Sequence, residues 1–555
     1  MKMPGPEERG AGRMAGNRWR NARQTDWKPT VFGYHRRMRS SPRAIVLCVL
    51  AALPGLMGGA TDTPTSSPGT PPPARGGYEG REPDAPWRAA AGAAIDKHRR
   101  VAITVRVQDE AGFAVPGAEV EFIETRPAFA FGATVEASRL LSTNAANGRY
   151  QSVVTNWFGT VTLGSDLEWS RLEKDPAPAA HAIDWLGSHR IGIRGHSLVG
   201  PGTNETSHLP PDVAGLFSDP AALRTRIVTH LTNVAARFAG KLADWDVVDQ
   251  PLHDTAIEGV LGRQTLADWF AIAHAVDPAA TLLLVDHGNL EDTGPDGTAR
   301  LRALADDLRS REAPFHTLGL PSRFAGHLTP PDEISRRLDR LAGIRPFGAS
   351  FAVRITDFEV ATDDEALQAD YTRDFLTAAF AHPAVNGVLA GGFWESDRVQ
   401  PKAAMFRADG QPKPSALVWS NLTQRAWMTR TNARASLTGS AAIRGFKGEY
   451  LVRVRANGMV KELLATVLAD THLAAVVPSA APTIQVVPGP ASHRFSWSGQ
   501  GNGYVLESCE SLSPPDWQPV DLIPVLSKGQ WRVELPAADT TLYFRLNRTG
   551  SATPP

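Results

Sequence analysis

The chain has 555 residues, with 58 Lys+Arg balanced by 58 Asp+Glu and 42% hydrophobic residues. That length allows several domains and a sizeable core, and zero formal net charge excludes the basic footprint of a general nucleic-acid binder. Cys48 and Cys509 are too few for a cysteine-rich zinc or iron–sulfur site, no His-Glu-x-x-His spacing occurs, and no metal or cofactor is expected.

Residues 1–60 read as an N-terminal extension and a signal peptide. Arg39 and Arg43 supply the positive flank, Ala44 to Leu56 the apolar run interrupted by Pro54, and Gly58-Gly59-Ala60 the small residues for cleavage. The run is short for a bilayer span, so export is expected rather than a stable membrane anchor. Met38 is the expected start of the signal, with Arg36-Arg37 as a weak twin-arginine alternative. The protein is then secreted or periplasmic, and Cys509 is left without an internal disulfide partner. Residues 61–86, rich in Pro, Thr, Ser and Gly, read as a linker. Residues 87–127 follow as a small β unit of three or four strands, with Val101, Ile103, Val105 and Val107 alternating and Asp109 to Gly112 forming a turn.

From 128 to 427 short apolar runs alternate with helical periodicities. The strand candidates are 128–134, 160–166, 192–198, 243–249, 281–286, 315–320, 350–357 and 386–393. Helical stretches fall at 219–239, 265–276, 297–312, 330–342 and 363–381. In the first of these Leu223, Ile227, Leu231, Val234 and Phe238 make one apolar face, and Asp219-Pro220 supplies an N-cap followed by proline. Eight strands alternating with helices over about 300 residues predict an α/β (β/α)₈ TIM barrel. An open doubly wound sheet is the rival, but no Gly-rich phosphate loop follows any strand. Residues 428–482 read as a β-rich extension. Residues 483–555 read as a small C-terminal β domain whose Phe495, Trp497, Trp517, Trp531 and Phe544 are core residues or sugar-stacking faces.

In a barrel the chemistry sits at the C-terminal strand ends. That rule nominates Glu136, Glu168, Trp169, His196, Asp249, Gln250, Asp286, Arg323, Asp357, Glu359, Trp394 and Glu395. Carboxylates supply acid, base and nucleophile for glycosidic cleavage, and aromatic faces bind sugar rings. His253, His287 and His208 read as loop residues.

Several of these segments carry a family pattern. Phe131-Gly132-Ala133, Ser165-Asp166-Leu167-Glu168-Trp169, Arg194-Gly195-His196-Ser197-Leu198-Val199, Trp245-Asp246-Val247-Val248-Asp249-Gln250, Ile355-Thr356-Asp357-Phe358-Glu359, Gly392-Phe393-Trp394-Glu395 and Lys413-Pro414 occur in the order of the family 10 glycoside hydrolases, the endo-1,4-beta-xylanases. The chain resembles that family over about 300 residues, a usual barrel size. The resemblance implies a retaining hydrolase acting on xylan or a similar β-1,4-linked plant polysaccharide. It places Gln250 where the family has its acid/base glutamate and Asp357 where it has its nucleophilic glutamate, with Glu359 as a nearby substitute. It implies sugar contacts at Glu168, Trp169, His196, Asp249, Arg323, Trp394 and Glu395. Of these, His196 and Trp394 keep the family's residue types, while Glu168 replaces a lysine, Asp249 an asparagine, and Pro321 and Arg323 a Gln-x-His pair.

Three readings follow. One is a hydrolase with a rearranged carboxylate pair, drawing on Asp249, Asp254, Glu136 or Glu395. Asp249 is awkward there, because neighbouring residues on a strand point oppositely unless the strand end is irregular. The second is a binding protein using the same cleft without catalysis. The third assigns Arg323 either to an ion pair with Asp357 or to an acidic sugar. The expected partner is a polysaccharide or oligosaccharide, bound by a monomer, with no nucleic acid.

Overall fold

The computed structural model describes residues 77–548, apart from 111, 201–208, 292–296, 345–351, 398–399, 480–481, 499–502 and 539. The expected signal peptide, most of the expected linker and His208 lie outside the described residues.

Strands β1 (Arg100–Asp109) and β2 (Glu119–Pro127) lead into eight barrel strands. These are β3 (Ala130–Val135), β4 (Thr160–Leu163), β5 (Gly192–Gly195), β6 (Asp244–Asp249), β7 (Thr281–Val285), β8 (Thr317–Ala325), β9 (Ala352–Ala361) and β10 (Val385–Gly392). Each pairs in parallel with the next, and β10 closes on β3. The strands are almost wholly buried on both faces, as a parallel barrel wrapped in helices requires. Every predicted barrel strand is present, within a few residues at each end.

The helices follow the sequence pattern equally closely. Pro220–Phe238 starts where Asp219 accepts a hydrogen bond from the Ala222 amide at 3.0 Å, and Pro220 needs no donor partner there. It buries Leu223, Ile227, Leu231, Val234 and Phe238, each worth about 1.5–3 kcal/mol relative to exposure. Gln264–Val276, Gly297–Ser310, Pro331–Ala342 and Glu365–Ala381 complete the predicted set.

Outside the barrel three expectations change. Residues 87–99 are not strand: Pro86–Arg99 is a helix that buries Trp87, Ala91 and Ile95. The N-terminal β unit is not separate from the tail. Strand β1 pairs with β12 (Ser440–Phe446) and β15 (Thr471–Val477), and β2 pairs with β11 (Arg430–Arg434) and β13 (Gly448–Ala456), which pairs in turn with β14 (Met459–Val467). The apolar faces of β1 and β2 meet in one core that this late segment completes, its Tyr450, Val452, Val454 and Val467 joining Ile103, Val105, Val120 and Phe122. The two stretches flanking the barrel thus make one β sandwich, because neither can bury its apolar face alone. The end of the expected linker is also packed. Tyr78 donates to Asp374 at 2.8 Å, and Arg81 pairs with Asp370 at 2.7 Å, both on the Glu365–Ala381 helix.

The C-terminal region forms a four-stranded and a three-stranded sheet. Phe495, Trp497, Leu506 and Val533 are its core, with Trp531 and Phe544 packed against it. Cys509 is a buried free thiol. Among the described residues no helix is long and apolar enough to cross a membrane.

Candidate active site

A cleft of about 770 Å³ opens at the C-terminal ends of the barrel strands. Six of the predicted site residues line it: Glu168, His196, Asp249, Gln250, Arg323 and Asp357, together with Glu136. They converge because each follows, or lies near the end of, a barrel strand, with Asp249 and Gln250 both at the end of β6.

Its floor is an ion cluster. Arg194 is fully buried on β5, and its guanidinium grips both oxygens of Asp246 on β6, with Nε to Oδ1 at 2.9 Å and Nη2 to Oδ2. Its remaining nitrogen donates to Thr162 Oγ1 at 3.0 Å. Between the two flanking side chains Gly195 leaves room for the neighbouring strand. A Cβ there would overlap the Trp245 ring and lie 2.7 Å from Leu242. Burial alone would raise the Asp246 carboxyl, but the Arg194 charge and the His196 hydrogen bond hold it below its ordinary value.

His196 stands on that floor with Nδ1 2.6 Å from Asp246 Oδ2 and Nε2 3.9 Å from Asp249 Oδ2. Burial would lower the imidazole pKa, but the Asp246 hydrogen bond and the Asp249 charge outweigh it and raise the value. Asp249, 5% exposed, is shifted upward by burial despite the opposing His196 charge. Gln250 Nε2 donates to Asp249 Oδ2 at 3.1 Å.

Across the cleft, Thr134 Oγ1 donates to Asp357 Oδ1 at 3.4 Å. Arg323 reaches Asp357 with Nη2 at 3.7 Å and Glu359 with Nε at 3.7 Å. The Asp357 charge raises the Arg323 pKa. Glu359 is 7% exposed and turned over Gly391 of β10, so the predicted substitute nucleophile does not line the cleft.

Two other expectations are corrected. Trp169 is 1% exposed, stacked on His230 at 3.9 Å and bonded through Nε1 to Glu173 at 2.6 Å. Trp394 is 2% exposed and stacked on Phe406 at 5.5 Å. Both are core residues beneath the loops, with no open ring for a sugar. Glu395 is held by Lys413 at 2.9 Å, and that hydrogen bond lowers its pKa.

Sequence reasoning missed Arg139, Arg171 and His287, which also line the cleft. His287 stacks on His253 at 3.7 Å, and His253 Nδ1 lies 3.0 Å from the fully buried Asp286. Burial pushes the Asp286 carboxyl up to about 7. The position of His287, directly after a barrel strand, was the available signal. Among the described residues no cluster of three or more His, Cys, Asp or Glu side chains is arranged to hold a metal.

The family model described as Glycosyl hydrolase family 10 matches residues 123–430. The chain belongs to glycosyl hydrolase family 10. Among curated relatives, Endo-1,4-beta-xylanase 2 of Arabidopsis thaliana is 26% identical over 348 residues, covering 61% of this chain and 31% of the relative. Anti-sigma-I factor RsgI6 of Acetivibrio thermocellus is 24% identical over 380 residues, covering 68% of this chain and 47% of the relative. The match thus spans less than half of either relative. Native xylanase 10B from Thermotoga maritima superposes with a TM-score of 0.48 at 18% identity, covering 54% of this chain and 96% of that one. The family match runs from the middle of β2 to the start of β11, and so takes in the whole barrel and every cleft residue named above.

Proposed function

We propose that this family 10 protein acts on a β-1,4-linked, xylan-type polysaccharide in the barrel-mouth cleft, as a hydrolase whose proton-donor arrangement departs from the family's. Membership of a hydrolase family and the xylanase names of curated relatives support the substrate class. The cleft volume lies within the range that holds a ligand of a few sugar rings. The apolar run at 44–56 supports export to where such polysaccharide is met.

One observation carries the departure. The amide of Gln250 occupies the cleft where the resemblance puts the acid/base, and it donates to Asp249 instead of offering a proton to a leaving group. An amide has no proton to transfer at neutral pH. Loss of general acid help costs about 10²–10⁴ in rate, or roughly 3–5 kcal/mol of barrier. Asp357 keeps a carboxylate opposite, one methylene shorter than glutamate, with Arg323 beside it.

The same amide favours a second reading, in which the cleft binds the polysaccharide without cutting it. A relative named as an anti-sigma factor rather than as a hydrolase is consistent with that alternative. The test is hydrolysis of an aryl β-xylobioside and of xylan by the wild type and Gln250→Glu, beside calorimetric titration with xylohexaose. Turnover of either substrate supports the hydrolase. Xylohexaose binding with no turnover by either protein supports the binding reading, and neither binding nor turnover refutes both.

A further inference from the structure

We infer that Asp249 is the proton donor of this cleft, the carboxyl missing at position 250 being supplied one residue earlier in the chain. The inference rests on the reading of the cleft as a glycoside hydrolase site.

On a regular strand, consecutive side chains point to opposite faces, and a carboxyl at 249 would face away from the place served by 250. The end of β6 is not regular. Its pairing with β7 shifts between Asp246 and Val248. Gln250 has a φ of 59°, in the left-handed region that a non-glycine residue seldom adopts. Both side chains consequently open on one cleft, and the Gln250 amide donates to Asp249 Oδ2 at 3.1 Å. Gln250 thereby holds the Asp249 carboxyl in place, while Asp249 occupies the chemical role.

Asp249 is also in surroundings that suit a proton donor. His196 faces it from β5, Asp246 from its own strand, Arg323 from β8 and Asp286 from the end of β7. Burial raises its pKa. His196 and Arg323 oppose that, Asp246 reinforces it, and the net effect is upward. A general acid must keep its proton near the working pH, which is the direction of this shift. The competing acids are less suited. Glu136 and Glu168 also line the cleft, but they follow β3 and β4, not the strand that leads to position 250. Glu395 is tied to Lys413, and Asp254 does not line the cleft.

The step balances with the two carboxyls and one water. A carboxylate oxygen of Asp357 bonds to the anomeric carbon, the bond from that carbon to the leaving oxygen breaks, and the leaving oxygen takes the proton of Asp249. Water then gives a proton to the Asp249 carboxylate while its oxygen displaces Asp357 from the sugar. One water is consumed for each bond cut.

The experiment compares wild type, Asp249→Asn and the exchange Asp249→Asn/Gln250→Glu on xylohexaose and on an aryl β-xylobioside with an acidic phenol. The aryl leaving group needs no proton. Asp249→Asn should lower kcat/KM on xylohexaose by about 10²–10⁴ while changing it less than about tenfold on the aryl substrate. Added azide should restore turnover of the aryl substrate by Asp249→Asn and yield a xylobiosyl azide. The exchange variant should recover xylohexaose cleavage, which a folding defect in Asp249→Asn could not imitate. Wild-type cleavage of xylohexaose by Asp249→Asn, or equal loss on both substrates, overturns the donor role and leaves the hydrolase reading standing. If the wild type binds xylohexaose but cuts neither substrate, the donor role fails and the binding reading replaces it. If the wild type neither binds nor cuts, the assignment of the cleft fails with it.

Discussion

Replacing Arg194 with methionine removes the cation at the floor of the cleft and leaves Asp246 buried, with His196 as its remaining partner of opposite charge. Both members of the pair are wholly buried, and the guanidinium makes two bonds to the carboxylate and one to Thr162. Removing one partner of such a pair costs about 3–5 kcal/mol, because the other is stranded in a low-dielectric interior. A barrel of roughly 300 residues unfolds with an entropy of about 0.6 kcal/mol/K, so the melting temperature should fall by roughly 5–8 °C. Circular dichroism melts at pH 7 measure this. The exposed pair Lys241–Asp184, at 2.9 Å with side chains 50% and 66% exposed, is the control. Lys241→Met should shift the midpoint by less than about 2 °C.

The pH dependence sharpens this test. In the wild type Asp246 is held below its unfolded value, so its ionised form stabilises the fold above that value and the contribution is lost as pH falls through the folded one. Without Arg194 the carboxyl moves upward, and the deficit of Arg194→Met should shrink as the pH is lowered towards 4 and Asp246 becomes protonated. The double variant Arg194→Met/Asp246→Leu should regain part of the lost stability, since no charge is then left unpaired. A midpoint for Arg194→Met within 2 °C of wild type, or a deficit that does not change with pH, would refute the reasoning.

Three further outcomes are expected. Burial raises the Glu124 carboxyl to about 7, against the opposing hydrogen bond from the Thr429 amide at 2.8 Å. The folded state therefore binds the extra proton between about pH 4.5 and 7, and the wild type should lose about 3 kcal/mol of stability as the pH rises across that window. Glu124→Gln should remove the slope, and parallel denaturation curves for the two proteins would count against it. Trp169→Ala should destabilise by about 3–5 kcal/mol without changing KM for a xylo-oligosaccharide, because the ring packs on His230 and not on substrate. A raised KM at unchanged stability would restore Trp169 to the sugar site. Arg323 already faces two carboxylates at 3.7 Å, so a uronic-acid-bearing oligosaccharide should bind no more tightly than a neutral one in calorimetry. Tighter binding that disappears in Arg323→Met would assign the acidic sugar to this arginine.

The barrel was legible in the sequence because its signals are local. Strand runs, helix periods and the Asp219-Pro220 start each depend on neighbours within one turn or one strand. The end-of-strand rule likewise brought together Glu136, Glu168, His196, Asp249, Gln250, Arg323 and Asp357 without any knowledge of side-chain direction. What the sequence could not settle depends on contacts distant along the chain. Trp169 and Trp394 lie beside the correct strand ends, yet His230 and Phe406 cover them, and nothing local announces that cover. Strands β1 and β2 looked self-contained because alternation reports one apolar face but not what will bury it. Their partners arrive some 300 residues later, after the barrel has brought the two chain segments together. Alternation also set Asp249 and Gln250 on opposite faces. Only the three-dimensional course of β6, with its shifted pairing and the left-handed turn at Gln250, put both on the cleft, because one positive φ reverses what a period of two would otherwise dictate.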